Sequence, residues 1–194
     1  PIRTNKKPTK KQSIQRIKNL GKELASFHLA CKNISKILPS KSKTFHEDIK
    51  FIKQNIFSKK YFHFDKSQKT EIIKNCDIFI KNTSKIINIK NLLPVFIDWN
   101  IGNFSVDNSY NFFSRWDYDW FRIGHRTLDF YFLSRVCSEQ GDSTLFTYSP
   151  LPLMEKRFII FLKSYHKIYP LKNNDFLLIP EMYRFFILNY VIKD

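Results

Sequence analysis

The sequence predicts a mainly α-helical fold of the α+β class that contains one small antiparallel β-hairpin. Residues 14–31 and 72–87 carry apolar side chains at three- and four-residue steps, the pattern of an amphipathic helix. Residues 104–106 and 112–116 are strand-like runs on either side of turn-forming residues 107–111, which predicts a hairpin. With 194 residues, 43% of them hydrophobic, the chain is long enough for one domain with a substantial core.

The elements are expected in a simple order along the chain. Residues 1–12 are polar and basic, and we expect a linker or frayed end there. Residues 13–194 are expected to form one helical lobe, in which residues 141–152 are a loop. The predicted helices cover residues 13–31, 48–56, 66–87, 127–136, 153–169 and 175–192, and the hairpin lies between the third and the fourth.

The net charge of +16 limits the classes of partner. A strongly basic chain suits nucleic acid, an anionic membrane surface or an anionic substrate such as a nucleotide. Lysine is spread almost evenly, however, and Asn and Ile are also abundant, so a biased composition accounts for the charge at least as well. Because no signature of an RNA- or DNA-binding module is present, we expect no specific nucleic-acid partner.

The sequence also gives expectations about membranes and redox environment. No apolar run reaches the roughly 18 to 20 residues that span a bilayer, so no membrane span is expected. Cys31, Cys76 and Cys137 are far apart and have neither metal-ligand nor disulfide spacing. This cysteine usage favours the reducing cytoplasm, with Cys31 and Cys76 buried on helix faces.

Asp98, Asn103 and Asp117 are the residues that most strongly suggest chemistry. Asp98 and Asn103 have Asp-x4-Asn spacing directly after the apolar run 92–97, and Asp117 follows the second hairpin strand. In kinase-type phosphoryl transfer, such an aspartate accepts the proton of the substrate hydroxyl, while the asparagine and a later aspartate hold Mg²⁺. Asp and Asn are also common in turns for local reasons, so the motif alone permits a purely structural interpretation.

Two further stretches accompany this motif. Residues 116–119 read Trp-Asp-Tyr-Asp, and another aspartate, Asp129, lies further along. Upstream, residues 20–28 read Leu-Gly-Lys-Glu-Leu-Ala-Ser-Phe-His. The run 95–104 reads Val-Phe-Ile-Asp-Trp-Asn-Ile-Gly-Asn-Phe. In their order and spacing, these stretches resemble segments of the aminoglycoside phosphotransferase and choline-kinase-like family of small-molecule kinases, over about residues 20–135.

The resemblance implies a fold and an activity. The fold would be the helical C-terminal lobe of a kinase-like fold, with the hairpin carrying the catalytic loop. The activity would be transfer of the γ-phosphate of ATP or GTP, with Mg²⁺, to the hydroxyl of a small molecule. Asp98 would be the catalytic residue, and Asn103 and Asp117 would bind the metal.

The resemblance also suggests roles for the neighbouring residues. Asn100 would contact the transferred phosphate. Asp129 would brace the catalytic loop or cap its helix. Asp119 and Trp120 would lie on the substrate side, where the Trp120 ring could contact a cationic headgroup, although packing is an equally ordinary use of an aromatic side chain.

Several positions depart from the family pattern. Phe96 replaces a histidine that braces the catalytic loop, Ile97 replaces a glycine, and Trp99 and Asn100 are also unusual. The replacement at Phe96 motivates an alternative function, a catalytically weak pseudokinase of the same fold. The positive charge motivates another, a basic nucleic-acid-associated module.

A kinase of this kind also needs a Gly-rich loop over the phosphates and a strand lysine paired with a helix glutamate. The chain has only four glycines, and no two are close enough to form such a loop. We therefore expect the N-terminal nucleotide-binding lobe to be absent from this chain, and the fragment alone to be inactive.

Overall fold

The computed structural model describes residues 9–34, 37, 43–58, 63–88, 91–108, 111–139 and 148–193. Most of the expected linker and most of the expected loop at 141–152 lie outside these residues. The described part is mainly helical with two small antiparallel sheets, which confirms the predicted mainly helical class. Its α-helices are α1 (Lys10–Ile34), α2 (Phe45–Asn55), α3 (Lys66–Thr83), α4 (Phe130–Cys137), α5 (Lys156–Ile168) and α6 (Asn173–Phe186).

Helix α1 begins at Lys10, inside the basic segment that the sequence predicted as a linker. Thr9 and Gln12 stabilise its first turn, because the Thr9 N–H donates to Gln12 Oε1 (2.8 Å) and the Gln12 N–H donates to Thr9 Oγ1 (3.2 Å). The apolar face of α1 is buried against α5. Gly21 permits this close approach, since a Cβ there would lie 2.5 Å from the carbonyl oxygen of Phe161.

Helices α2 and α3 both begin with a capping box, in which Thr44 pairs with Glu47 and Asp65 pairs with Gln68. Helix α3 packs against α2 and α6, while α1 contacts the strand that precedes the candidate catalytic loop. The strand that leads into this loop is therefore supported by a helix.

Two two-stranded sheets are nested along the chain. The outer pair is β1 (Leu93–Val95) with β4 (Arg122–Gly124), and the inner pair is the predicted hairpin, β2 (Phe104–Val106) with β3 (Phe112–Arg115). The sequence did not predict the outer pair. Because β1 leads into the loop at 96–103 and β4 follows segment 116–121, this pair fixes both ends of the segment that carries Asp98 and Asp117.

The C-terminal elements differ in helix type from the prediction. A 3₁₀ turn, Arg126–Asp129, precedes α4, and helix α6 continues as a π-helix, Ile187–Ile192, where one regular helix was expected. Pro180 lies inside α6, where it has no N–H to donate. Within the described ranges, none of the helices has the length and apolar character required to cross a membrane.

Candidate active site

The three motif residues lie at the ends of the short strands. Asp98 lies in the loop after β1, Asn103 directly precedes β2, and Asp117 follows β3. The hairpin folds the chain back on itself, so that the Trp116 N–H donates to the carbonyl oxygen of Asn103 (3.0 Å). The structure therefore brings the two aspartates and the asparagine into one region.

The Asp98 carboxylate is held on both of its oxygens. Asn103 Nδ2 donates to Oδ2 (2.9 Å), and the Asn100 N–H donates to Oδ1 (3.2 Å). The Asn103 N–H in turn donates to the Asn100 carbonyl oxygen (2.8 Å), which closes a turn between these residues. The carboxylate orientation is thus set by the loop that follows it in sequence.

The environment of Asp98 raises the pKa of its carboxyl above the ordinary value of 3.8. Burial is the main cause, and the negative charge of Asp117 adds to it. The hydrogen bonds from Asn100 and Asn103 and the positive charge of Arg115 act in the opposite direction. The charge of Asp117 is therefore close enough to act on Asp98.

Arg115 connects the segments that carry the two aspartates. Its Nη2 donates to the carbonyl oxygen of Asp98 (3.0 Å), and its Nη1 donates to the carbonyl oxygen of Asp117 (3.0 Å). The guanidinium carbon lies 4.6 Å from the centre of the Phe96 ring and 4.8 Å from that of Tyr118. Burial lowers the pKa of Arg115, because the charged guanidinium is partly removed from water.

The backbone before Asp98 is strained. Ile97 has a φ of 66°, a region that β-branched residues rarely adopt, and it is fully buried. The Asp98 N–H donates to the Phe96 carbonyl oxygen (2.7 Å), which closes a tight turn around Ile97. The family with which this loop was compared has glycine at the same position. Asp117 also has a left-handed backbone, with a φ of 65°.

Asp129 holds this strained turn. Its Oδ1 accepts hydrogen bonds from the N–H groups of Phe96 (3.0 Å) and Ile97 (2.7 Å). Its Oδ2 lies 2.9 Å from His28 Nε2, and His28 Nδ1 lies 2.8 Å from the Tyr165 hydroxyl. Asp129 makes no side-chain cap on α4, so its contacts are those of a loop brace rather than of a helix cap.

The remaining candidates have different environments. Asn100 is half-buried beside Asp98, whereas Asp117 and Asp119 are exposed. The Trp120 ring packs against Phe132 and Tyr190, with centroids 5.9 Å and 5.2 Å away. Trp120 therefore has the contacts of a core residue and not those of an open cation-binding box.

Several large apolar side chains are exposed around the motif. We call them the hairpin patch, and the most exposed of them is Phe113, at 77%. Exposed apolar clusters of this kind often mark a surface that contacts another molecule or domain. The hairpin patch consists of Ile101, Phe113, Trp116, Tyr118 and Phe121.

Asp117 and Asn103 offer oxygens of different character to a cation. Asp117 offers an exposed carboxylate, and Asn103 offers its amide oxygen because its Nδ2 is engaged by Asp98. Oxygen ligands of this type suit Mg²⁺, which usually keeps several waters or phosphate oxygens as further ligands. Among the residues that the structure describes, no cluster of three or more His, Cys, Asp or Glu could hold a metal by itself.

A separate cavity of about 510 Å³ lies between α3 and the α6 segment. Its walls include Ile72, Pro180 and Leu188, and none of the candidate residues lines it. The cavity therefore does not belong to the candidate active site.

Sequence reasoning missed two contributors to this site. Arg115 gave no signal beyond its position just before Asp117 in an aromatic run. His28 ends the stretch 20–28, but its partner Asp129 is 101 residues away in sequence. A buried histidine needs partners for its ring nitrogens, and this need is the signal that could have pointed to a distant carboxylate.

Comparison of the chain with protein-family models, with curated proteins and with solved structures found no match.

Proposed function

We propose that this chain is the catalytic and substrate-binding lobe of a small-molecule kinase that transfers the γ-phosphate of ATP or GTP to a hydroxyl group. The contact between Asn103 Nδ2 and Asp98 Oδ2 (2.9 Å), beside a second carboxylate whose charge acts on Asp98, is the observation that carries the proposal. An acid, an amide and a second acid in this order form the set that kinase-type transfer uses.

Each residue would have a distinct role in the reaction. Asp98 would orient the substrate hydroxyl and accept its proton, and a raised pKa makes its carboxylate a stronger base. Asn103 and Asp117 would hold Mg²⁺, which neutralises charge on the phosphate groups when bound. Asn100, next to Asp98, would contact the transferred phosphate. Asp119, two residues after Asp117, is exposed and would face the substrate.

The proposal includes a nucleotide-binding lobe that precedes this chain in the same protein. The hairpin patch is the surface that such a lobe would cover, because interfaces between domains bury apolar side chains. Residues 1–194 alone would then not turn over nucleotide. The free thiols Cys31, Cys76 and Cys137 are compatible with a cytoplasmic location.

A second candidate is a pseudokinase of the same fold. It is favoured by one specific observation, the Phe96–Ile97 pair. Phe96 cannot make the hydrogen bonds of a brace histidine, and Ile97 holds a left-handed backbone that glycine would adopt without strain.

The test uses the intact protein that carries this chain, with Mg²⁺–ATP or Mg²⁺–GTP and a panel of hydroxylated metabolites. Asp98→Asn should abolish transfer and leave nucleotide affinity nearly intact, because asparagine keeps the shape and loses the base. Asp117→Asn should also weaken Mg²⁺–nucleotide binding, because it removes a charged ligand. Asn103→Ala should fall between them, because water can partly replace a neutral ligand.

Asp107→Asn is the matched control, since Asp107 lies at the far end of the same hairpin, where its carboxylate accepts hydrogen bonds from Asn111. It should keep full activity. Unchanged turnover in Asp98→Asn would refute the role given to Asp98. Failure of the wild type to bind Mg²⁺–nucleotide would favour the pseudokinase.

A further inference from the structure

Arg115 joins the two halves of the candidate active site directly. It is the last residue of β3, two positions before Asp117. Its two terminal nitrogens each donate to a main-chain carbonyl oxygen, one of Asp98 and one of Asp117, both at 3.0 Å. A guanidinium is planar and rigid, so these two hydrogen bonds fix the separation of the two carbonyl groups.

Aromatic rings hold the guanidinium in this place. Its carbon lies 4.6 Å from the ring centre of Phe96, 4.9 Å from that of Trp99 and 4.8 Å from that of Tyr118. Such distances give cation–π attraction on several sides. The Tyr118 hydroxyl also donates to the Arg115 carbonyl oxygen (3.0 Å), which ties the segment after Asp117 back to β3.

A contribution to the stability of the fold does not by itself account for this arrangement. The Nε of Arg115 is buried without a hydrogen-bond partner. An unsatisfied buried donor destabilises the folded chain. Both terminal nitrogens of the guanidinium donate to main-chain carbonyl oxygens, which are weaker acceptors than carboxylates. What it provides instead is a fixed connection between the main chain at Asp98 and the main chain at Asp117.

We propose that Arg115 is a positioning residue, which sets the Asp98 loop relative to Asp117. The Phe96 ring contributes to this role because it forms part of the aromatic cage around the guanidinium. The proposal rests on the function proposed above for Asp98 and Asp117.

The first test measures the bridge itself, without turnover. Amide hydrogen exchange is followed in the peptides that cover residues 97–103 and 115–118. Arg115→Ala and Arg115→Gln should speed exchange in both peptides about tenfold, the effect of losing bonds worth about 1.4 kcal/mol. Arg115→Lys should behave like Arg115→Gln, because an ammonium keeps the charge but lacks the planar fork.

A matched control is Arg184→Gln. Arg184 is a half-buried arginine of α6, and its Nε donates to Glu181 Oε2 (3.0 Å). It lies outside the candidate loop and outside the strands that flank it, so its loss should leave exchange in residues 97–103 unchanged relative to the rest of the chain. If the Arg115 variants exchange faster throughout the chain, and no more so in the two peptides than elsewhere, Arg115 has only a general structural role and the proposal is refuted.

Chemical rescue sharpens the test. Arg115→Ala leaves an empty aromatic cage, so millimolar guanidinium chloride should restore slow exchange in the two peptides, while sodium chloride at the same concentration should not. Rescue by both salts, or by neither, would overturn the assignment of the bridge to the guanidinium group.

The second test uses the intact protein and its kinetics. Arg115→Lys should lower kcat about 100-fold with little change in KM, because a small misplacement of Asp98 affects the transition state more than substrate binding. If Asp98→Asn abolishes activity but Arg115→Lys leaves kcat unchanged, the positioning role of Arg115 is refuted and the proposed function stands. If no variant or wild type turns over substrate, the proposed function fails while the exchange and rescue results still decide whether the bridge exists.

Discussion

His28 Nε2 lies 2.9 Å from Asp129 Oδ2, and both side chains are fully buried. Through the other oxygen of Asp129, this pair is connected to the N–H groups of Phe96 and Ile97. The long helix α1 is thereby tied to the residues directly before Asp98. The orientation of the candidate catalytic loop thus depends on a helix that contributes no side chain to the chemistry.

Removal of the Asp129 carboxylate should destabilise the fold strongly. Asp129→Ala leaves two main-chain N–H groups and the His28 ring without their acceptor, and each buried donor left unsatisfied costs about 1–3 kcal/mol. Urea denaturation measures the loss. Asp77→Ala is the control, since Asp77 pairs with Lys53 at the surface and should contribute at most about 1 kcal/mol. Similar losses in the two variants would contradict the brace.

The left-handed backbone of Ile97 predicts an inverted order of two substitutions. At most buried positions, glycine is less stable than alanine, by roughly 0.5–1 kcal/mol inside a helix. At a φ of 66°, alanine keeps the Cβ that causes the strain, so Ile97→Gly should be more stable than Ile97→Ala by about 1 kcal/mol. Ile49, fully buried in α2, is the matched site and should have the ordinary order. The same order at both sites would rule out strain at Ile97.

The helices and the hairpin could be predicted because their signals are local. Apolar side chains recur along α1 and α3 at helical steps, and turn formers separate β2 from β3. The β1–β4 pair could not, because each strand has three residues, too few for an alternating pattern, and β1 contains Pro94. The π-helix after α6 likewise has no local signal in the sequence.

Within the site, spacing was enough to select Asp98, Asn103 and Asp117, but it could not reveal what holds them. The contact between His28 and Asp129 spans 101 residues and depends on how α1 packs. The bridge formed by Arg115 depends on the direction in which its side chain leaves β3. Both are consequences of tertiary structure, which a pattern of single residues does not encode.

Gly21 and Gly102 should respond oppositely to alanine. In Gly21→Ala the new Cβ would lie 2.5 Å from the Phe161 carbonyl oxygen and 3.1 Å from the Tyr165 nitrogen, both of them backbone atoms of α5. Overpacking of this kind costs about 1–3 kcal/mol, which exceeds the gain of about 1 kcal/mol from better helix propensity.

Gly102→Ala is the comparison variant, because a Cβ there would meet nothing within 4 Å. Its thermal stability should stay the same or rise by up to about 1 kcal/mol. If Gly102→Ala keeps its stability and loses turnover in the intact protein, the space at Gly102 is needed by a ligand. A loss of stability as large as that of Gly21→Ala would contradict the geometry.

His125 should make the fold sensitive to mild acid. Burial lowers its pKa from the ordinary 6.5 to about 4, and the positive charge of Arg126 contributes, against the opposing charge of Asp175. Between these two pH values the unfolded chain binds a proton at His125 and the folded chain does not. The free energy of unfolding must therefore decrease as the pH falls from 6.5 towards 4, by up to about 3 kcal/mol.

His125→Asn should remove this component. Asparagine can still accept the hydrogen bond that His125 receives from the Thr127 N–H, so the cap of the 3₁₀ turn is kept.

Asp175, whose pKa is lowered by its hydrogen bonds from Arg126 and Lys172 despite its burial, loses stabilising charge only at still lower pH. Urea denaturation at a series of pH values from 6.5 down to about 4.5 should therefore give a flatter profile for His125→Asn than for the wild type. His63→Asn, at an exposed side chain, controls for the loss of a histidine as such. Parallel profiles for the wild type and His125→Asn would mean that His125 is protonated in the folded protein.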